Sequence, residues 1–523
     1  MKKLILTLTA TAMLMPAAAQ QYVIVDNGVP ILLDDIEKIT YEKDDEFETR
    51  MLPGKLAADP KTSLFSQALQ LTGLADTLQL YWKPDYMPSP NRYYYYKAGV
   101  WNEVAVTDIR RLRLFTVFAE TDDVYAAQGI NNLDDLKAYA RQVYDEAFPE
   151  DAAVSDPTDR RNSLNRFVAY HILGHGAHYY HLTGYDGNLM QNFYDRDKAD
   201  IATWYATLMP YASLKCSYPA GQEAGLYLNR RGLKDGPDKY GTQIRGAKLV
   251  PYDYASLAGG DIYTHPAFNG YYFYIDRILA YDRTAREQVL GSERWRVDCT
   301  TLSPDILNID TKQRDLMTVD GDPSVADQRY VNHAFFWDIE NFWAAKSLSP
   351  LIARRSRCNF WDYEGDEMLI FDNFDVTVKL PPLPAGEWEI RLGNCNIEGC
   401  PKITAYINGQ PTSDEIDLSL RYYKGMPERD IPAGVTADML SNKLKAPDDC
   451  GYFNSSGQFN RFSDEGYVLR TILGRVKSDG KSDTFLRLVS TPSPSNGNLT
   501  TMILDFLEFC PVSIADNKEI PED

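Results

Sequence analysis

The chain has 523 residues, of which 44% are hydrophobic, and a formal net charge of −20. Its length exceeds what one hydrophobic core usually organises, so two or three domains are expected. The negative charge disfavours nucleic acids and direct adsorption to anionic membranes, because like charges repel. Neutral glycans and other proteins are compatible partners.

Residues 1–19 have the layout of a secretory signal peptide. Lys2 and Lys3 precede the apolar run 4–16, and small residues follow at 17–19. This pattern predicts cleavage near Ala19–Gln20 and export to the periplasm, the cell surface or the medium. No later stretch reaches the roughly 18 apolar residues of a membrane span, so no transmembrane segment is expected. The first cysteine is Cys216, so no lipobox cysteine follows the apolar core.

The next segment, 20–61, is predicted to contain short strands and an acidic linker. From Thr62 the apolar spacing changes to that of a helix, with Leu64, Ala68 and Leu71 on one face. Gly73 is expected to end this helix with a left-handed residue. A second short turn follows at 74–78.

In the following part of the chain, one strand and two helices are predicted first, and a series of strands follows them. The run 112–119 predicts a buried strand, and Asn132 is a candidate cap for a helix with Leu136 and Ala140 on its apolar face. A further helix is expected around 164–172. Strands are predicted from 179–182 onwards and at 271–279. Helices followed by strands are typical of an α+β domain.

Four pieces of this segment resemble fasciclin (FAS1) domains, in the order that the family has them. They are Leu64–Leu69 with Thr72–Leu74, Phe115–Asp122, the pair Tyr170–His171, and Asn269–Gly270 with Ile275–Leu279. The resemblance implies a compact α/β sandwich over 62–282, used for adhesion or ligand binding, without a general catalytic centre. Glu120 departs from the pattern, since the family usually has proline there.

The resemblance also implies which residues matter. Tyr170, His171, Asn269, Gly270 and Asp276 are the matching motif positions and are expected to be structural or adhesive. Asp276 interrupts an apolar run, so we expect its carboxylate to be buried, hydrogen-bonded and structural. Extra length at 80–108 and 184–268 predicts surface insertions, where binding specificity often lies.

The C-terminal part shows strict alternation of apolar and polar residues. After a predicted helix–loop connector at 283–364, the alternation over 365–514 predicts an antiparallel β-sandwich, and Asn408-Gly409 is a hairpin turn signal. This block resembles galactose-binding-like jelly rolls, which often bind carbohydrate. An acidic tail, 515–523, ends the chain.

Aromatic residues in and beside this predicted sandwich are candidates for stacking on a sugar ring. They are Trp361, Tyr422, Tyr423 and Tyr452. Ordinary packing is the alternative for all of them. Trp388 alternates with glutamates and is therefore expected in the core.

The histidines His171, His175, His178 and His181 lie within eleven residues and raise the question of a metal site. Gly174 and Gly176 disfavour the helix that would align two of them, and no H-E-x-x-H motif occurs. We therefore expect no metal and no cofactor. The sequence also lacks a G-x-S-x-G elbow, a P-loop and a dinucleotide motif, so no catalytic residues are assigned.

These patterns favour a non-catalytic exported protein of the bacterial cell envelope that adheres to, or binds, a glycan or a protein. A structural scaffold subunit of an envelope assembly is the first alternative. A carbohydrate-active enzyme is the second, because the positions of its two required carboxyls cannot be judged from sequence.

Overall fold

The fold is known from a computed structural model. It describes residues 22–24, 30–32, 45–80, 93–97, 100–104, 113–183, 201–218, 225–231, 243–251, 262–308, 330–336, 339–347, 351–356, 366–371, 373–395, 400–412, 415–418, 444–445, 451–453, 459–461, 468–491 and 501–516. The predicted signal peptide, 1–19, lies outside these residues. So do residues 517–523 of the predicted acidic tail.

The described residues divide into two units, 1–48 and 49–523. In the first unit, strands β1 (Tyr22–Ile24) and β2 (Pro30–Leu32) form an antiparallel pair. All other strands belong to the second unit.

Helices are concentrated in the first third of the chain. They are α1 (Asp45–Arg50), α2 (Leu52–Ala58), α3 (Ser63–Leu71), α4 (Leu74–Leu78), α5 (Asp122–Ala127), α6 (Leu133–Ala147), α7 (Ser163–Tyr170) and the later α8 (Pro304–Leu307). A π-helix spans Thr284–Leu290 and a last helical turn spans Val512–Ala515. Short 3-10 turns lie at Pro149–Asp151, Tyr179–His181 and Cys299–Leu302.

The local sequence explains the ends of these helices. The Asn132 side chain accepts hydrogen bonds from the backbone N–H groups of Asp134 and Asp135, as an N-cap does. Gly73 has a φ of 68° and separates α3 from α4, which confirms the predicted left-handed stop. At the start of α3 the cap comes from elsewhere in the chain, because Leu64 N–H donates to Asp122 Oδ1 at 2.9 Å.

One sheet has eight strands, and the helices of the first third of the chain share a hydrophobic core with it. The strands are β5 (Phe115–Glu120), β6 (Ile172–Leu173), β7 (Ile201–Ala206), β8 (Ser213–Tyr218), β9 (Tyr227–Leu228), β10 (Ala247–Val250), β11 (His265–Ala267) and β12 (Gly270–Ile275). Their order is β6-β5-β12-β10-β9-β8-β7, with β11 beside β12.

The two strands that carry the FAS1-like boxes are direct neighbours. β5 and β12 pair in parallel, from Phe115 opposite Gly270 to Glu120 opposite Ile275. Every residue of β5 is buried, so this strand is covered on both faces. The helical layer contributes fully buried Phe65, Leu69 and Phe167 to the same core.

Three larger sheets contain the strands of the C-terminal half, and one of them also takes in β3 and β4 from residues 93–104. The first has five strands in the order β13 (Trp295–Asp298), β29 (Phe506–Pro511), β19 (Gly386–Cys395), β26 (Val468–Ser478) and β23 (Leu444–Lys445). The second has six, in the order β28 (Thr501–Leu504), β17 (Asp366–Phe371), β16 (Leu351–Ser356), β14 (Tyr330–Phe336), β3 (Tyr93–Lys97) and β4 (Val100–Val104). The third contains β15 (Phe342–Ser347), β18 (Phe374–Lys379), β27 (Phe485–Thr491), β20 (Lys402–Ile407), β21 (Gln410–Pro411) and β22 (Ile416–Asp417). A separate pair joins β24 (Gly451–Phe453) to β25 (Phe459–Arg461).

The alternation of apolar and polar residues in the sequence corresponds to alternating buried and partly exposed positions in this half. Val376 and Val378 of β18 and Leu486 and Leu488 of β27 are buried, while the residues between them are partly exposed. Asn408 and Gly409 form the predicted hairpin turn, with positive φ angles of 50° and 79°. Mixed α+β structure is therefore what the chain has.

Three sequence predictions are wrong in detail. The linker predicted up to residue 61 contains α1 and α2, because Met51, Leu52 and Leu56 are apolar at helical spacing and become fully buried. The segment Tyr179–His181 is a 3-10 turn and not a strand. The strand predicted over 271–279 ends at Ile275.

The helix–loop connector predicted at 283–364 also needs correction. Its described residues include β13, β14, β15 and β16, each paired with strands of the C-terminal half. The charges that suggested a solvated connector are partly internal, since Arg296 of β13 is 5% exposed and its Nη2 donates to Glu508 Oε2 at 3.1 Å. Paired charges can be buried where unpaired ones cannot.

Candidate functional site

His171 is joined to Glu120 inside the first half of the chain. Its Nε2 lies 2.8 Å from Glu120 Oε1, its Nδ1 donates to the Phe167 carbonyl at 2.7 Å, and both side chains are fully buried. Glu120 also accepts hydrogen bonds from the Leu279 N–H at 2.8 Å and from the Tyr125 hydroxyl at 2.9 Å. Burial, and then the Glu120 charge, raises the pKa of Tyr125 well above 10.0. This carboxylate thus ties α5, α7 and the segment after β12 to the end of β5.

Tyr170, the other half of the Tyr-His pair, is also internal. Its hydroxyl donates to the Ser213 carbonyl at 3.1 Å and accepts from Asn229 Nδ2 at 2.8 Å. Burial raises its pKa well above 10.0. The side chain therefore connects α7 to β8 and to the turn after β9.

Asn269 and Gly270 form the start of β12. The Asn269 side chain is fully buried; its Nδ2 donates to the Leu78 carbonyl and its Oδ1 accepts from the Leu52 N–H at 2.9 Å. Gly270 has a φ of 142°, and a Cβ atom there would lie 1.9 Å from the Phe115 carbonyl oxygen. Only glycine fits this close approach between β12 and β5.

Asp276 lies just after β12 and is partly exposed, which differs from the prediction of a buried residue within a strand. Its Oδ1 accepts from the Lys248 N–H at 2.8 Å, and its Oδ2 pairs with Arg245 Nη2 at 2.6 Å. The carboxylate joins β12 to β10. The five motif residues therefore all make contacts that hold elements of the first half together.

The side chains of the four predicted sugar-stacking residues lie outside what the structure describes. Trp361, Tyr422 and Tyr423 lie outside the described residues. Tyr452 belongs to β24, but its side chain is likewise outside what the structure describes. Their proposed role stays a prediction.

The histidine cluster does not converge on one point. His171 points to Glu120, the His175 ring packs 4.7 Å from the Tyr205 ring, and the rings of His178 and His181 lie 3.6 Å apart. Among the described residues, no group of three or more His, Cys, Asp or Glu side chains could hold a metal ion.

A cleft that the sequence did not indicate lies between the two halves of the second unit. Its volume is about 340 Å³. One wall consists of Gly174, His175 and residues 204–211, from the end of β7 and the turn that follows it. The other wall consists of Val297 and parts of 301–307, together with Glu340, Asn341, residues 379–382 and Asp483.

The first wall is aromatic and is fixed by backbone hydrogen bonds. Trp204, Tyr205 and Tyr211 line it. The turn between β7 and β8 is attached to β6 and to α7. Leu208 N–H donates to the Ile172 carbonyl of β6 at 2.8 Å. Met209 N–H donates to the Ala169 carbonyl at 3.2 Å.

The second wall combines apolar side chains, such as Val297, Leu302 and Leu380, with charged and amide groups. The Lys379 ammonium pairs with Asp483 Oδ1 at 2.9 Å, and both side chains are about one-third exposed, at 33% and 35%. Asn341 has a φ of 71°, and its Nδ2 donates to the Leu302 carbonyl at 2.9 Å. Glu340 N–H donates to Asp305 Oδ2 at 2.6 Å. The lining therefore combines aromatic and aliphatic side chains with a few carboxylate, amide and ammonium groups, which is the usual make-up of a small-ligand site.

Direct contacts join the segments that form the two walls. The Trp204 ring stacks 6.0 Å from Trp295 of β13, and Trp295 lies 5.5 Å from Trp388 of β19. Ser213 Oγ donates to the Pro382 carbonyl at 2.8 Å, and Gly176 N–H donates to Asn308 Oδ1 at 3.0 Å. The cleft is thus part of a packed framework.

A buried ionic network lies in the five-stranded sheet. Arg391 is fully buried; its Nη1 pairs with Glu508 Oε1 at 2.7 Å and its Nη2 with Glu389 Oε1 at 2.8 Å. Glu389 Oε2 pairs in turn with Arg475 Nη2 at 2.9 Å. Alternation had predicted solvent-facing positions for these residues of β19, but this strand is covered on both faces.

Comparisons with known proteins give no family. No family model matches the chain, and no curated protein matches it. Two solved structures show a faint likeness: a Bacteroides uniformis beta-glucuronidase, 12% identical over 32% of this chain with a TM-score of 0.16, and a calcium-binding mutant of Bacteroides uniformis beta-glucuronidase 2, 10% identical over 61% with a TM-score of 0.18. The matches span only 15% and 28% of those chains. Likeness at this level carries no argument about fold or function.

In the described part of the chain, no helix has both the length and the apolar character needed to cross a membrane.

Proposed function

We propose that the protein is a non-catalytic, exported ligand-binding or adhesion protein of the bacterial cell envelope, with a glycan as the first candidate ligand and a protein as the second. It would carry a FAS1-type domain followed by a galactose-binding-like β-sandwich. The observation that supports this most is the cleft of about 340 Å³, whose lining includes aromatic residues together with charged and amide groups. Sugar rings present apolar faces and hydroxyl edges, and such a cleft offers a partner for each.

The neighbouring parallel strands β5 and β12 support the FAS1 part of the proposal. The resemblance requires the two boxes to lie in one sheet, and they pair residue by residue. The contacts of His171, Asn269 and Gly270 are those of structural motif residues. An adhesive role would therefore depend on residues outside the motifs, such as those that line the cleft.

The first alternative is a scaffold subunit of an envelope assembly, which differs from the proposed function in the kind of partner that it binds. It would bind only protein and would leave the cleft without a small ligand. A carbohydrate-active enzyme is the third candidate; it would need two carboxyl groups flanking a bound sugar. The cleft contains Glu340 and Asp483, and Asp483 is engaged with Lys379.

Three parallel measurements on the chain from Gln20 onwards test these classes. A glycan array should show retained glycans, a pull-down from envelope extract should identify protein partners, and a reducing-sugar assay should show no release from the retained polysaccharides. Retention of proteins alone would favour the scaffold. Sugar release that is lost in both Glu340→Gln and Asp483→Asn would favour the enzyme and would overturn the non-catalytic proposal.

A further inference from the structure

The outer face of the sheet that contains β15, β18, β27 and β20 has an exposed tryptophan. Trp343 of β15 is 49% exposed, and among the described residues it is the most exposed of the large hydrophobic ones. Its neighbour Phe342 is 3% exposed and belongs to the core. Because side chains alternate between the two faces of a strand, Trp343 lies on the solvent side of this sheet.

The strand register places three further residues in a row with Trp343. Trp343 lies opposite Thr377 of β18, and Thr377 lies opposite Arg487 of β27. Arg487 in turn lies opposite Tyr406 of β20. Thr377, Arg487 and Tyr406 are all partly exposed. Neighbouring strands are about 4.8 Å apart, so the row spans about 14 Å from Trp343 to Tyr406, which is longer than one sugar ring.

The aromatic rings of this face lie in two groups. The Trp343 ring is 6.0 Å from the ring of Phe485, a partly exposed residue of β27. The Arg487 guanidinium lies 5.1 Å from the centre of the Tyr406 ring. Asp375 holds this guanidinium, because Arg487 Nε donates to Asp375 Oδ1 at 2.7 Å and Nη2 donates to Oδ2 at 2.6 Å. Such a two-fold contact fixes the orientation of the arginine on the ring.

The basic side chains that the structure describes on this face are all ion-paired. Arg487 pairs with Asp375, Lys379 pairs with Asp483 at 2.9 Å, and Lys402 pairs with Glu415 at 3.3 Å. An uncharged ligand leaves these pairs intact, whereas a charged ligand would repel one partner of each pair. The face therefore complements an uncharged ligand. A protein partner fits less well, because lysine and aspartate are depleted in protein–protein interfaces.

This face is continuous with the cleft. Lys379 and Asp483 belong to the lining of the cleft. Lys379 also lies directly opposite Phe485, across β18 and β27. Asn341, another lining residue, precedes Trp343 by two positions. The group formed by Trp343 and Phe485 is therefore next to the cleft, and the group formed by Tyr406 and Arg487 lies further along the row.

From this arrangement, and resting on the proposed function, we infer that the outer face of this sheet binds an extended, uncharged polysaccharide chain that continues from the cleft. The apolar faces of its sugar rings stack on Trp343 and on Tyr406. Thr377 and Thr404, both partly exposed on the same face, offer hydroxyl groups to the sugar hydroxyls. The ligand class is thus a polysaccharide, of which the cleft alone would hold only a short segment.

The test is a calorimetric titration with galactomannan, xyloglucan and dextran, with a trisaccharide of each, and with polygalacturonate. The parent protein should bind one of the uncharged polysaccharides about tenfold or more tightly than the matching trisaccharide. Trp343→Ala and Tyr406→Ala should each remove most of this advantage, since each deletes a stacking contact, and should change trisaccharide binding less than about twofold.

Two controls separate stacking from a structural effect. Trp343→Phe keeps a ring and should weaken polysaccharide binding less than about threefold. Phe268→Ala removes a 43% exposed ring outside this face and should change no affinity. The melting temperature of each variant should stay within about 2 °C of the parent value, because these side chains are at the surface.

Equal polysaccharide binding by the parent and by a Trp343→Ala, Tyr406→Ala double variant would overturn the role of this face and leave the glycan function of the cleft standing. A parent that binds none of the polysaccharides and none of the trisaccharides would overturn both. Equal affinity of the parent for a polysaccharide and its trisaccharide would overturn the extended ligand, and tighter binding of polygalacturonate would overturn the uncharged one. Loss of a pulled-down protein in Trp343→Ala, with polysaccharide binding unchanged, would assign the face to a protein instead.

Discussion

Glu120 Oε1 lies 2.8 Å from His171 Nε2, and neither side chain is exposed to solvent. The Glu120 carboxylate joins the end of β5 to α7. In the resemblance to FAS1 domains, Glu120 stands at the position where the family usually has proline. Hydrogen bonds of this carboxylate with His171, Tyr125 and Leu279 hold the end of β5 in place.

Substitution Glu120→Gln should destabilise the fold. It keeps the shape of the side chain but removes the charge that strengthens its hydrogen bonds, so we expect a loss of about 1–3 kcal/mol in the free energy of unfolding. Urea unfolding followed by tryptophan fluorescence measures this. Glu146→Gln, on the exposed face of α6, is the control and should change the value by less than about 0.5 kcal/mol. Equal effects of the two variants would mean that the buried pair does not stabilise the fold.

Substitution Gly270→Ala should be much more damaging than Gly129→Ala. Both glycines have positive φ, at 142° and 76°, but a Cβ at 270 would meet the Phe115 carbonyl oxygen while one at 129 meets nothing within 4 Å. The alanine at 129 should cost about 1 kcal/mol from backbone strain alone. The alanine at 270 should cost several times as much or prevent soluble expression, because β12 must move away from β5. Similar melting temperatures for the two variants would show that these strands are not so closely paired.

Removal of Arg391 should be costly, because it leaves Glu389 and Glu508 buried without their shared partner. Arg391→Ala is expected to lower the free energy of unfolding by about 3–5 kcal/mol. The control is Arg487→Ala, which breaks a pair with Asp375 whose arginine is 43% exposed, and its effect should stay within about 1 kcal/mol. If Arg391→Ala unfolds at the same urea concentration as the control, the network is not internal as described.

Alkaline pH should destabilise the fold through its buried tyrosines. Burial raises the pKa of Tyr281 to about 12, and burial raises those of Tyr144 and Tyr170 well above 10.0. In the unfolded chain these groups ionise near 10, so above that pH the unfolded state binds fewer protons than the folded state and stability falls. The stability that these hydroxyls contribute is fully present below pH 10 and is lost as pH rises towards 12.

Absorbance of tyrosinate near 295 nm, recorded against pH together with circular dichroism, tests this expectation. The late fraction of tyrosines should ionise together with loss of secondary structure. Complete ionisation near pH 10 with the fold intact would show that these hydroxyls are accessible.

Parts of this architecture were predictable from sequence because they depend on local patterns. The apolar run around Phe115, the cap at Asn132 and the core position of Trp388 follow from spacing within a few residues, and the structure confirms each. The burial of Glu389 and Arg391 was not predictable. Alternation of apolar and polar residues by itself indicates a strand with one solvent-exposed face, on which these two residues would lie. Their burial depends on Glu508, more than a hundred residues further along the chain.

The cleft was missed for the same reason. Its aromatic residues come from 204–211, and its charged and amide groups come from residues near 340, 380 and 483. No local motif links these segments. One signal was present: a Pro-Tyr pair between two strands, at 210–211, puts tyrosine where a turn usually has glycine or asparagine. The positions that the FAS1 resemblance indicates lie elsewhere, and they hold the first half together.

The central claim is that the cleft binds a glycan. The most direct test is a calorimetric titration, in which a glycan that the parent protein retains on the array is added to a variant with a blocked cleft. Ala206→Trp adds a large side chain to an exposed position of the aromatic wall, and Ala126→Trp adds the same side chain to an exposed position of α5, outside the cleft. Binding should fall about tenfold or more in the first variant and stay within about twofold of the parent in the second. Unchanged binding by Ala206→Trp would contradict the assignment of the cleft as the binding site.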